Sequence, residues 1–210
     1  DIVGKAYKRD ANGNIIVNNQ GLPESESDKV IGNMMPDWTG SVGNTLKYKD
    51  LVLTALVDIR QGGDFISLTD NYATQQGTSA KTLYGRATGE QIVVDGVTAA
   101  GTKNTVGISA EKYWSGIAGP EGIMEEFVHK GSYVKMRELS LGYILPQSWL
   151  KNTPIKYVKI SLVGRDLFYF YKAAPINPEG AFSRNDYAQA FELGAMPPTR
   201  SYGLTVNVKF

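Results

Sequence analysis

Cysteine is absent from this chain, which excludes a disulfide framework and any thiolate metal site. An excess of charge of one sign is also missing. Twenty-two Lys and Arg stand against 21 Asp and Glu, a formal net charge of +1, so nothing argues for nucleic acid or a strongly acidic partner. No run of apolar residues approaches the length of a membrane helix. That lack does not exclude a membrane protein, because transmembrane barrels cross in short alternating strands. The start, DIVGKAYKRD, shows no initiator Met, apolar signal region or cleavage site, which predicts a mature form or a piece of a longer protein.

What is present leans toward strands and turns: 42% hydrophobic residues, 23 Gly and 12 Tyr in 210 residues. The clearest stretch is the last, SYGLTVNVKF. Tyr202, Leu204, Val206, Val208 and Phe210 share one face of an extended strand, with Gly203, Thr205, Asn207 and Lys209 on the other. The same alternation predicts strands over 38–48, 51–60, 132–145 and 156–171, making about five with 200–210. Lys49 and Asp50 alone separate the first two, which reads as a tight hairpin. The mixed first half of 132–145 suggests a bulge.

Connection lengths alternate. Two residues join the first pair of strands and about ten the third and fourth, whereas 61–131 and 172–199 are long and rich in Gly, Ala, Asn, Asp and Thr. Short turns on one side and long loops on the other is the organisation of an outer-membrane barrel. If the chain end is periplasmic, every short turn lands on the periplasmic side. Lys47, Arg60, Lys159 and Lys209 avoid the apolar faces or sit near strand ends, and Tyr48, Tyr143, Tyr157, Phe168, Phe170, Tyr202 and Phe210 cluster toward strand ends, as an interfacial girdle would. The pattern also fits a soluble β-sandwich with the same faces turned inward. Residues 1–37 read as a loop and hairpin segment leading into the strands, with Asn12-Gly13 as a type I′ turn signal.

Catalytic chemistry is not legible. DANGNI from Asp10 has Ile15 where a calcium loop needs Gly, and GISAE around Ser109 has Glu111 where a nucleophile elbow needs Gly. His129 has no second His and reads as a surface or loop residue. Glu125 and Glu126 are adjacent and would point oppositely in a strand. No catalytic, metal or cofactor residue is assigned, and the chain is not expected to be an enzyme.

Four collinear motifs carry a family resemblance over residues 31–210: IGNMMPDWTG, EEFVHKGSYVKMRELSLGYILP, GRDLFYFYKAAPINPE and MPPTRSYGLTVNVKF. They resemble segments of SusC/RagA-type TonB-dependent outer-membrane transporters, with Met34-Met35 where that family tends to have Pro-Asn. The resemblance implies the C-terminal strand meander of a large all-β transmembrane barrel with long extracellular loops, the plug domain lying outside this chain. It further implies nutrient import, of an oligosaccharide or a peptide, with a SusD-like lipoprotein as lid and TonB as energy source. The terminal strand, Tyr202, Leu204, Val206, Val208 and Phe210, resembles the signal read by the barrel-insertion machinery. A soluble carbohydrate-binding module and a passive porin are the competing readings. In the long loops Tyr113, Trp114, Phe182, Tyr187 and Phe191 are candidates for stacking on ligand, and ordinary packing inside an ordered loop is the plainer reading of each.

Overall fold

The computed structural model describes residues 1–180 and 188–210. They fall into two compact units, interleaved along the chain. One comprises 36–62, 131–179 and 196–210, the other 1–35, 63–130 and 180–195.

The first unit is an open antiparallel meander of five strands: Pro36–Tyr48, Leu51–Gly62, Tyr133–Ile144, Tyr157–Lys172 and Ser201–Lys209. Each pairs with its neighbour in order, so the first and last strands are the edges. The all-β meander expected from the alternation is present. Its register explains how the alternation works across the sheet. Leu46, Leu53, Leu141, Leu162 and Leu204 are successive cross-strand partners, a row of leucines running from edge to edge. The next row is Tyr48, Leu51, Tyr143, Ile160 and Val206. On the opposite face the matching row is Thr45, Thr54, Ser140, Val163 and Gly203, with the Thr45 and Thr54 hydroxyls 3.2 Å apart.

Local chemistry sets the turns. Lys49 takes φ 52° in the two-residue hairpin, the sense of turn that matches strand twist, although a side chain is strained there. At Gly142 a Cβ would meet the Lys159 stem and the Ser161 hydroxyl, so a larger residue would force those side chains to move. The third and fourth strands are joined through the short helix Gln147–Leu150, which buries Leu150 and leaves Trp149 exposed. The irregularity in the third strand is a bulge at Arg137, where register shifts against both neighbours.

The second unit is built from small pieces. Ile2–Tyr7 pairs antiparallel with Ser25–Gly32, and Ile15–Val17 lies parallel to Gly96–Thr98. Asp64–Ser67 is flanked by Val128–Lys130 and Phe191–Glu192. Two helices, α1 (Leu68–Gln75) and α2 (Ala110–Ile117), complete it. Both are N-capped by serine: Ser67 accepts from the Asp70 amide and Ser109 from the Lys112 amide. Capping is therefore what Ser109 does. Ile2, Ile66, Ala118, Phe127 and Ala190 form the main core, with Ile31, Met34, Leu68 and Phe191 packed against it.

The Asn12-Gly13 signal marks a real turn of a different type. Gly13 alone has positive φ, 87°, and Asp10 Oδ1 accepts from the Asn12 and Asn14 amides, so an Asx-type turn replaces type I′. Residues 61–131, read as a loop from composition, hold both helices and several short strands.

Candidate functional site

The polar face of the meander carries the densest charge cluster. The bulge turns Arg137 onto the same side as Lys135, next to Asp166, itself held at φ 53°. The Lys135 ammonium, 1% exposed, lies 2.8 Å from Asp166 and 2.5 Å from Glu179. Arg137 spreads its fork over Asp58, Asp166 and Glu179 at 2.5, 2.8 and 2.6 Å. Tyr133 and Tyr169 donate to Glu179, and Tyr169 also reaches Asn177. Two cations, three carboxylates and two phenols are thus mutually satisfied, which is what permits an ammonium to be buried. Burial alone would raise the Glu179 carboxyl, but Arg137, Lys135 and Tyr169 outweigh it and bring it below the usual carboxylate range. The consequence is mechanical: Glu179 ties the segment after the fourth strand to the polar face. Alternation places Asp58 and Lys135 on one face, but the shared carboxylates were invisible because the partners are far apart in sequence.

A second constellation lies in the other unit. His129 Nε2 is 3.3 Å from Asp70 Oδ2, without hydrogen-bond alignment in its placed orientation, and the Lys81 ammonium is 3.0 Å from the same oxygen. Burial pushes the Asp70 carboxyl up, yet His129 and Lys81 outweigh it and bring it down to about 2. His129 is therefore not a surface residue: its side chain is 16% exposed, in a strand against Phe65. Glu125 and Glu126 occupy a 3₁₀ turn rather than a strand, so both reach the same segment. Glu125 accepts from the Tyr7 amide and from Arg9, while Glu126 accepts from the Tyr7 hydroxyl. Burial and then the Glu126 charge push the Tyr7 phenol up.

In the same unit a cleft of about 500 Å³ is lined by Thr74, Gln76, Thr82, Arg86, Glu111 and Trp114, a size that admits a small ligand. Trp114 reaches the cleft, with its ring beneath the Lys81 ammonium at 5.5 Å and edge-on to Tyr113 at 4.8 Å. Tyr113 is packed between two apolar clusters, one with Tyr7, Ile117 and Ile123, the other with Val17, Val94 and Ile108. Phe191 pairs with Ile66 and packs on the main core. Phe182 and Tyr187 lie outside the described residues.

Much of the apolar face of the meander is bare. Leu53, Ile160 and Val206 are 37%, 38% and 52% exposed, and Leu46, Leu162 and Leu204 more so. Tyr202, Leu204, Val206, Val208 and Phe210 all stand exposed on the last strand, whose outer edge has no partner in the sheet. Monomers in water rarely leave so continuous an apolar surface open.

No family model matches the chain. It is 28% identical over 87% of its length to TonB-dependent receptor P3 of Formosa agariphila, and 26% identical over its full length to TonB-dependent receptor P26 of the same organism. It spans 17% and 20% of those two proteins. Among solved structures, a chain of the RagAB peptide importer in its closed-closed state superposes with a TM-score of 0.61 at 17% identity, and in its open-open state with 0.63 at 16%. The match covers 98% and 100% of this chain and 22% of the other. Sequence likeness and fold point the same way: the chain is similar to a portion of TonB-dependent receptors in sequence, and to part of a RagAB chain in fold.

Proposed function

We propose that the full-length protein imports a large nutrient across the outer membrane with energy drawn through TonB, and that this chain supplies wall and mouth. The observation that carries the reading is the row from Leu46 to Leu204, exposed across five hydrogen-bonded strands. A soluble sandwich would bury that row, whereas hydrocarbon tails solvate it at no cost. Short turns then face the periplasm, and the long segments 61–131 and 172–199 form the extracellular mouth under a SusD-like lipoprotein. The terminal strand from Tyr202 to Phe210 is the segment offered to the insertion machinery, an open edge suited to strand addition. RagAB, whose fold this chain shares, is a peptide importer, which favours peptide over oligosaccharide as cargo.

The test uses the intact gene. The protein should remain with the outer membrane after alkaline wash, and a tagged copy should carry down a lipoprotein. Deleting the gene should remove growth on one class of oligomer while sparing its monomers. Recovery in the soluble fraction would overturn the membrane reading; undiminished growth on peptides and glycans alike would overturn import.

A further inference from the structure

The short-turn end of the meander carries lysines with no carboxylate partner among the described residues. Lys49 sits in the first hairpin, Lys151 and Lys156 lie in the connection from third to fourth strand, and Lys47 and Lys209 come at the close of the first and fifth strands. All five are exposed, and none makes an ion pair among the described residues. Backbone bonds hold them along one rim: the Ile144 amide donates to the Asp50 carbonyl at 2.8 Å, Leu145 to Val158 at 2.9 Å and Lys156 to Lys209 at 2.8 Å. Asp50 is the sole carboxylate side chain in 47–51, 144–159 and 205–210. At the other end of the sheet Lys135 and Arg137 are fully engaged by Asp58, Asp166 and Glu179. One rim is thus neutralised internally and the other is left as a positive field.

Exposed aromatics accompany that field. Trp149 is 69%, Tyr48 72% and Phe210 76% exposed, and the Lys49 ammonium lies 5.5 Å from the Tyr48 ring centroid. Tyr48 belongs to the row next to the leucines. Moving outward along the sheet, the order is apolar belt, aromatic ring, free ammonium. That is the polarity profile of one lipid leaflet read from acyl chain to phosphate.

We propose that this rim is a binding surface for anionic phospholipid headgroups. Lys49, Lys151 and Lys156 hold the phosphates, Trp149 and Tyr48 sit at the glycerol level, and the acyl chains lie along the apolar rows. Lys47 and Lys209 alternate onto the polar face and add to the field without touching lipid. The inference rests on the membrane reading proposed above.

The experiment takes the full-length receptor, delipidated in mild detergent and offered phosphatidylglycerol or phosphatidylethanolamine, with lipid retention read by native mass spectrometry. The wild type should retain phosphatidylglycerol selectively. Lys49→Gln, Lys151→Gln and Lys156→Gln should each weaken retention about fivefold at low salt, the triple variant should lose the selectivity, and the triple arginine variant should keep it. Heat-modifiable migration shows that each variant is folded. Equal retention of the two lipids by the wild type, or undiminished selectivity in the folded triple glutamine variant, overturns the proposal. So does displacement by inorganic phosphate alone at matched concentration, which would make the rim a phosphate site rather than a lipid one. Failure of the membrane reading shows separately, as receptor in the soluble fraction before any lipid is added.

Discussion

Leu53 and Ile66 are near neighbours in the chain and equally greasy, yet Leu53 is 37% exposed and Ile66 1%. They belong to the two different units. The Ile66 unit has an interior like that of a water-soluble protein: Phe127 is wholly buried, and several of the polar groups that enter it are paired, as Asn71 is with the Gly119 backbone and Glu192 with Ser67 and Thr69. In the meander the apolar rows face outward, while Lys135, Arg137 and their carboxylates gather on the other face. The difference teaches that the exposure of leucine, rather than its abundance, distinguishes the two units, and on the proposed function each would meet a different solvent.

The largest expected effect sits in the unit that contains Ile66. Phe127→Ala truncates the largest fully buried side chain among the described residues and should cost about 3–5 kcal/mol. Limited proteolysis of the intact receptor should show cleavage between residues 63 and 130 while the heat-modifiable barrel survives; loss of both together would mean that the two units fold as one. In the meander, Leu141→Arg puts a charge at the centre of the leucine row and should cost about 2–4 kcal/mol in lipid. Ser140→Arg, on the opposite face one residue earlier, should cost far less. Urea titrations of the receptor in vesicles compare the pair, and equal losses would refute the assignment of faces.

Acid should separate the units more gently. Asp70 has a depressed carboxyl, near 2 against an ordinary 3.8. Its ion pairs therefore stabilise fully above the ordinary value and are lost as pH falls toward 2. Protease sensitivity in 63–130 should rise over that window and should respond less to pH in Asp70→Asn. The smallest effect expected is a gain. Lys49→Gly relieves the left-handed strain in the first hairpin and should raise barrel stability by about 1 kcal/mol, read as a higher urea midpoint.

Much of the meander was legible because its signal is local and periodic. A residue two positions away shares a face whatever lies elsewhere, so the apolar side of the last strand could be read from ten residues. The second unit was opaque for the opposite reason. Its α-helices are eight residues each, too short for a persistent periodicity, and apart from Ile2–Tyr7 and Ser25–Gly32 its strands run two to four residues and carry little alternation. Ser67 and Ser109 were the available helix signals, since each caps a helix start. His129 looked solitary because Asp70 and Lys81 reach it through space, and Tyr113 looked available because nothing local reveals the clusters around it.

The order of residues alone settles which side chains line up on each strand, where the hairpin turns, and that both faces of the sheet differ in polarity, because backbone geometry couples neighbours by fixed rules. Three-dimensional packing settles the leucine row, the bulge that brings Arg137 beside Lys135, and the tether through Glu179. Each of these depends on register between strands distant in sequence, which is chosen by the sum of many weak cross-strand contacts and by no single residue.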